Sequence, residues 1–213
     1  MTRLFLTRHG ETEWNKEGRM QGWGDSPLTP LGIRQGEWLR DRMIETQIDV
    51  IYTSPLGRAY KTAEIIRGDR DIKIIESDGL KEIRLGKWEG LSQDEIQKRD
   101  LMNYFNFWNE PSKYIPTYGA ETFYELVERS CDCINEILRK EKGKNILIVT
   151  HTVTLKAYLC SLQSREVDTI WDPPFIKQTS LTEIEFDEES FKIPVMACMN
   201  HHKYTRSEFN EFR

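Results

Sequence analysis

The chain has 213 residues, 38% of them hydrophobic, and a formal net charge of -5 at pH 7. That suits one compact domain, with or without a sizeable insertion, and is enough to bury a real core. The charge and the lack of a basic stripe exclude a typical nucleic-acid binder, so an anionic substrate needs a local positive field. No segment reads as a signal peptide or membrane span, so the expected compartment is the cytoplasm and no membrane partner is expected. The four cysteines, Cys131, Cys133, Cys160 and Cys198, lack paired metal spacing and are expected as buried free thiols.

Leu4 to Thr7 is a short apolar run, expected as a buried strand, and it stops at Arg8-His9-Gly10. Arginine offers a planar fork of donors that matches phosphate. Histidine offers a nitrogen that can attack or carry a proton near neutral pH. Glycine lets the backbone turn closely past a bound group. A long loop rich in Gly, Asp, Ser and Pro follows, as far as Pro27, and long loops in compact domains are often functional. Thr29-Pro30 is an N-cap followed by a first-turn proline, and it opens a helix striped by Leu31, Trp38, Leu39, Met43 and Ile44. Asp49 to Ser54 is a second strand pattern. After the turn Pro55-Leu56-Gly57, Arg58 opens a helix. The helix dipole disfavours a cation there by up to about 1 kcal/mol, whereas a bound anion would make it a shared site.

Ile72 to Ile75 is expected as a third, edge-like strand, followed by a glycine-punctuated segment carrying Glu82 and Glu89. Ser92 with Glu95 and Thr122 with Glu125 form capping boxes that each start a helix, the second running to about Lys142. Between them, residues 101–118 interleave Tyr104, Phe105, Phe107, Trp108, Tyr114 and Tyr118 with Asn, Pro and Gly. This reads as an insertion with its own apolar cluster, either a lid over a substrate pocket or a packed helical subdomain. Asn145 to Thr150 is the most hydrophobic strand and runs directly into His151. A helix from about Thr152 to Ser161 and a helical piece at 165–171 come next, and Asp172-Pro173-Pro174 breaks the latter. Thr179 to Phe186 and Phe191 to Met199 read as an edge hairpin around Asp187-Glu188-Glu189. The polar tail from Asn200 is expected to fray, with His201 and His202 on its surface.

Strands alternating with helices predict an α/β fold: a three-layer α/β/α sandwich with a mostly parallel central sheet and a small helical lid insertion. The whole of 1–213 is expected as a single domain with the lid-like insertion at about 87–120. Ligands of such sheets bind beyond the carboxyl ends of the strands. Three buried runs end in polar residues there: Arg8-His9, Ser54 with Arg58 beyond, and His151. If those strands are parallel neighbours, two His and two Arg converge. That set suits a phosphoryl group, with an imidazole to attack phosphorus, cations to neutralise the transition state and a carboxylic acid to protonate the leaving alkoxide. No HExxH motif or P-loop is present, and no metal or other cofactor is called for.

Arg8-His9-Gly10, Arg58 after Ser54, Glu82 in Leu-Lys-Glu-Ile-Arg-Leu-Gly-Lys-Trp-Glu-Gly, Gly119-Ala120-Glu121-Thr122 and Thr150-His151 together resemble the histidine phosphatase (phosphoglycerate mutase-like) superfamily. The resemblance runs from Leu4 to about Ser161. Within it the chain is most similar to short, broad-specificity PhoE-type bacterial phosphatases, through Met20 to Thr29, Glu89-Gly90 and Trp171-Asp172-Pro173-Pro174. The resemblance implies metal-independent hydrolysis of small-molecule phosphomonoesters. His9 is then the nucleophile that becomes phosphohistidine, Arg8, Arg58 and His151 clamp the phosphoryl group, and Glu82 is the proton donor. It also implies phosphate or substrate contacts from Asn15 and Gln21, and a structural turn role for Glu89. Members usually carry glycine after the second histidine; Thr152 stands there, able to cap the helix, crowd the site or add a hydroxyl contact. A phosphoglycerate mutase, an α-ribazole phosphatase and a non-catalytic scaffold of the same fold remain alternatives, and the chain acts as a monomer or homodimer.

Overall fold

The computed structural model describes residues 1–187 and 190–204. Its strands are β1 (Thr2–Arg8), β2 (Val50–Thr53), β3 (Ile74–Glu76), β4 (Asn145–Thr150), β5 (Leu181–Phe186) and β6 (Phe191–Cys198). They form one sheet in the order β3-β2-β4-β1-β5-β6. The pairs β3–β2, β2–β4 and β4–β1 are parallel, while β1–β5 and β5–β6 are antiparallel. The most apolar run, β4, is buried from Ile146 to Thr150 and lies between β1 and β2, as a strand covered on both faces should. Pro194 sits in β6, an edge strand, where a missing ladder donor costs least.

The helices are α1 (Glu13–Lys16), α2 (Pro30–Arg42), α3 (Gly57–Arg67), α4 (Gln93–Arg99), α5 (Leu101–Asn109), α6 (Phe123–Lys140) and α7 (Thr152–Leu162). Side chains alternate across a strand, so β1 and β4 feed two cores. Phe5, Leu147 and Val149 pack with Leu39 of α2 and Ala59, Ala63 and Ile66 of α3. Leu4, Leu6, Ile146 and Ile148 pack with Ile134 and Ile137 of α6 and Leu155 and Tyr158 of α7. These are the three layers the sequence implies. No helix among the described residues is long and apolar enough to cross a membrane.

Several local features differ from expectation. Residues 165–171 hold only a 3-10 turn, Val167–Thr169. Gln163 caps α7, Ser164 turns back at φ 54°, and the Asp172-Pro173-Pro174 break leaves too few residues for another helix. The tail is tied down as far as Tyr204: His201 is buried, and His202 packs on Trp38 of α2 and bonds Thr179 Oγ1 at 2.9 Å. Glu188 and Glu189 of the expected hairpin turn, and residues 205–213 of the tail, lie outside the described residues. Of the cysteines, Cys160 alone is fully buried; all four are free thiols.

The aromatic segment is not a cluster of its own. Phe107 of α5 is fully buried, with ring centroids of Trp88, Trp108, Tyr114, Phe123 and Trp171 between 5.0 and 5.7 Å away. The same core takes in Val153 and Ala157 of α7, so it is joined to the main domain. Tyr118 is left out of it, 91% exposed.

Candidate active site

Sheet register brings the polar strand ends together. Arg8 lies opposite Thr150 in the β1–β4 pair, and Thr53 opposite Val149 in the β2–β4 pair. The next residues, His9, His151 and Ser54, therefore leave three adjacent strands at one edge of the sheet. The His9 N–H donates to Thr150 O at 3.0 Å, and the Ser54 N–H to Val149 O at 3.1 Å. The His9 and His151 ring centroids are 5.2 Å apart. Gly10 then crosses α2 so closely that a Cβ on it would lie 2.4 Å from the Gly32 carbonyl oxygen. The glycine after the histidine thus serves a backbone-to-backbone approach inside the protein.

The His9 ring is fixed in one tautomer. Nδ1 lies 2.7 Å from Gly10 O, and a carbonyl can only accept, so Nδ1 carries the proton and Nε2 keeps a lone pair. Burial, then the charges of Arg58 and Arg8, pushes His9 well below the usual histidine range, so the ring is neutral at pH 7. His151 is held neutral in the same way, by burial, Arg58 and His9. Its Nε2 is 2.8 Å from Ser54 Oγ, while Nδ1 is buried without a partner.

The two arginines are partly committed. Arg8 donates from Nη1 to Ile176 O at 3.1 Å, and burial lowers it to about 10, so it remains a cation at neutral pH. Arg58 is 2% exposed and ties the loop after α1: Nη1 donates to Gly24 O at 2.7 Å and to Asp25 Oδ1 at 2.9 Å, and Nη2 to Gly22 O at 2.7 Å. The Nε groups of both arginines are buried and unpartnered. Buried polar atoms are rarely left unbonded. Three such atoms, the two Nε groups and His151 Nδ1, belong to residues gathered about His9, and an anion is the species that would satisfy them.

Glu82 lies at the N-terminus of α7. Its Oε2 accepts from Val153 N at 3.2 Å, and its Oε1 from Thr154 N at 3.1 Å, Thr154 Oγ1 at 3.2 Å and Ile83 N at 3.0 Å. Arg8, His9, Arg58 and Glu82 line one cleft of about 420 Å³, together with Asn15, Gln21 and Thr152. The Asn15 side chain accepts from Thr12 N at 3.2 Å, and Gln21 donates to Thr12 Oγ1 at 2.8 Å, so each is braced against the same threonine. Glu89 stands behind the wall and accepts from Trp23 N and Leu85 N, both at 3.0 Å. The far side of the cleft is apolar: Ile83, Leu85, Phe107, Trp108, Trp171 and Phe175.

Sequence reasoning missed three contributors. Ser54 was noticed as a strand end but not as the partner of His151. Asp25, in the loop, carries no local signal that it pairs with a side chain 33 positions away. The carbonyl of Ile176, which takes an Arg8 donor, belongs to a segment that the Asp-Pro-Pro motif marks only as a break.

A sandwich that gathers two neutral histidines, two arginines and a carboxylate beyond the carboxyl ends of parallel strands defines a phosphoryl-transfer protein. Residues 4–198 match the family model described as histidine phosphatase superfamily (branch 1). A putative phosphoserine phosphatase 2 of Hydrogenobacter thermophilus is 32% identical over 202 residues, covering 94% of this chain and 98% of that one. The uncharacterized phosphatase PhoE of Bacillus subtilis is 33% identical, with coverage of 91% and 93%. Among solved structures, Bacillus stearothermophilus YhfR superposes with a TM-score of 0.92 at 42% identity, covering 94% of this chain and 99% of that chain. The chain belongs to the histidine phosphatase superfamily, branch 1. It is a phosphatase, of a family whose general chemistry proceeds through phosphohistidine.

Proposed function

We propose that the protein hydrolyses small phosphomonoesters by two successive transfers at His9. The observation that carries this reading is the His9 tautomer, with a lone pair on Nε2, together with the buried, unpartnered nitrogens of Arg8, Arg58 and His151. Nε2 attacks phosphorus, an N–P bond forms and the ester P–O bond breaks. The leaving alkoxide takes a proton from Glu82. Water then attacks the phosphohistidine and gives a proton to Glu82, and the N–P electron pair returns to Nε2 as inorganic phosphate leaves. Arg8, Arg58 and His151 offset the charge spread over the phosphoryl oxygens. An arriving phosphate dianion favours a charged His151, which then donates from both nitrogens.

Asn15, Gln21 and Thr152 line the cleft and are proposed to contact the phosphate or the group it leaves. The apolar wall of Ile83, Leu85, Phe107 and Trp171 favours substrates with an apolar or aromatic leaving group, and it favours hydrolysis over the exchange of phosphate between positions on a polar hydroxy acid. The segment 87–120 serves as the lid of a single domain. The four free thiols suit a reducing cytoplasm, where the protein works as a monomer or homodimer. Phosphate release from an aryl phosphate in EDTA, for wild type beside His9→Ala, tests the reading. Release that persists in EDTA and vanishes with the substitution is expected; release that survives His9→Ala overturns it.

A further inference from the structure

The residue proposed to move the proton, Glu82, sits outside the helices and strands, between β3 and α4. Trp23 Nε1 donates to Glu82 O and Thr154 Oγ1 to Lys81 O, both at 2.8 Å, and one side chain of α6 spans the stretch from Gly79 to Glu82. Arg129 donates from Nη1 to Gly79 O at 3.0 Å and Lys81 O at 3.1 Å, and from Nη2 to Glu82 O at 3.3 Å. The guanidinium is itself held edge-on by Glu121: Nη2 donates to Oε1 at 2.6 Å and Nε to Oε2 at 3.2 Å. Glu121 also accepts from the N–H of Arg84, two residues past Glu82, at 2.8 Å. The carbonyl that Arg129 does not reach, Leu80 O, accepts from Thr150 Oγ1 at 2.6 Å. Gly79 packs against the same helix, since a Cβ there would lie 2.4 Å from Cβ of Cys133.

We infer that the Arg129–Glu121 pair is the positioning unit for the proton donor: it holds the backbone on both sides of Glu82 and so aims the carboxylate at the leaving oxygen. The inference rests on the reading of Glu82 as that donor. The planar fork explains the choice of arginine. Its five N–H groups spread over three carbonyls and one carboxylate, a pattern that the single ammonium of lysine cannot reproduce. Arg129 is absent from the cleft lining, so it acts through Glu82 rather than on substrate.

A general acid matters most when the leaving group is a poor one, and this separates positioning from mere structure. The experiment compares kcat/KM on an alkyl phosphate and on p-nitrophenyl phosphate for wild type, Glu82→Gln, Arg129→Met and the double variant. Arg129→Lys, which keeps the charge and loses the fork, is read in the same way should Arg129→Met fail to fold. Thermal unfolding confirms that each variant compared is folded. Arg129→Met is expected to lose on the order of tenfold more on the alkyl than on the aryl ester, and to lose nothing further in the Glu82→Gln background. Equal losses on both esters, or losses that multiply in the double variant while Glu82→Gln alone is leaving-group dependent, overturn the inference and leave the Glu82 reading intact. A Glu82→Gln variant with equal losses on both esters removes the donor assignment and the inference with it.

Discussion

His151 is the N-cap residue of α7 yet makes no capping bond, because its ring is turned to Ser54. The N–H groups of Val153 and Thr154 go to Glu82 instead, so one carboxylate both caps a helix and stands in the cleft. The two duties come apart by substitution. Glu82→Ala removes the acceptor and is expected to lower stability by about 1 kcal/mol, as the loss of a cap does, while Glu82→Gln keeps an acceptor and most of the stability. Both are expected to lose activity on alkyl esters if Glu82 is the proton donor proposed above. Denaturant unfolding checks the difference; equal stabilities for the two variants would show that the cap does not operate. At this scale the sequence was uneven. Arg8, His9, Arg58, Glu82 and His151 were legible because each sits at a strand end, a helix start or a glycine-marked turn. Ser54 was legible as a strand end but not as the partner of His151, and Asp25 and Arg129 were not singled out, because their work is done through partners brought near by the fold alone.

The C-terminal segment after β6 is an element that reads as tail and behaves as a clasp. His201 Nε2 donates to Thr179 O at 2.9 Å, His202 lies between Thr179 Oγ1 and the Tyr204 hydroxyl, and the N–H of Thr179 in turn donates to Arg8 O at 3.0 Å. Burial lowers His201 to about 4, with Arg42 adding to the effect, and lowers His202 to about 3, with His201 adding to it. Both are neutral in the folded protein, while the unfolded chain binds their protons below about 6.5. Their contribution to stability is therefore full above pH 6.5 and is lost as pH falls toward 4. The buried pair His9 and His151 acts in the same direction. Thermal midpoints are expected to drop between pH 6.5 and 4, and to drop less for a His201→Asn/His202→Asn variant, where the clasp no longer titrates. Equal acid shifts for the variant and wild type contradict this account. Polarity alone marked the segment as loose, because nothing in its local sequence announces the face of Trp38 that it packs against.

Across the whole molecule, the site is a product of register. The three apolar runs at β1, β2 and β4 and their polar ends were visible in the chain, and so was the alternation that makes the three layers. Which strands are neighbours was not visible, because pairing is fixed by contacts between residues more than 90 positions apart. The sheet order places β4 between β1 and β2, and the offsets Arg8–Thr150 and Thr53–Val149 then set two imidazoles 5.2 Å apart, their planes tilted by 60°. The aromatic insertion was legible by composition, but its fusion to α6 and α7 through Phe107, Phe123 and Val153 was not. The central claim is that His9 presents Nε2, and only Nε2, to phosphorus, because Nδ1 is committed to the Gly10 carbonyl. Rapid quenching of turnover into alkali, followed by peptide mapping and phosphorus NMR of the trapped phosphoprotein, tests it directly. Phosphate on Nε2 of His9 is the result predicted; phosphate on Nδ1, on His151 or on any hydroxyl or thiol would contradict it.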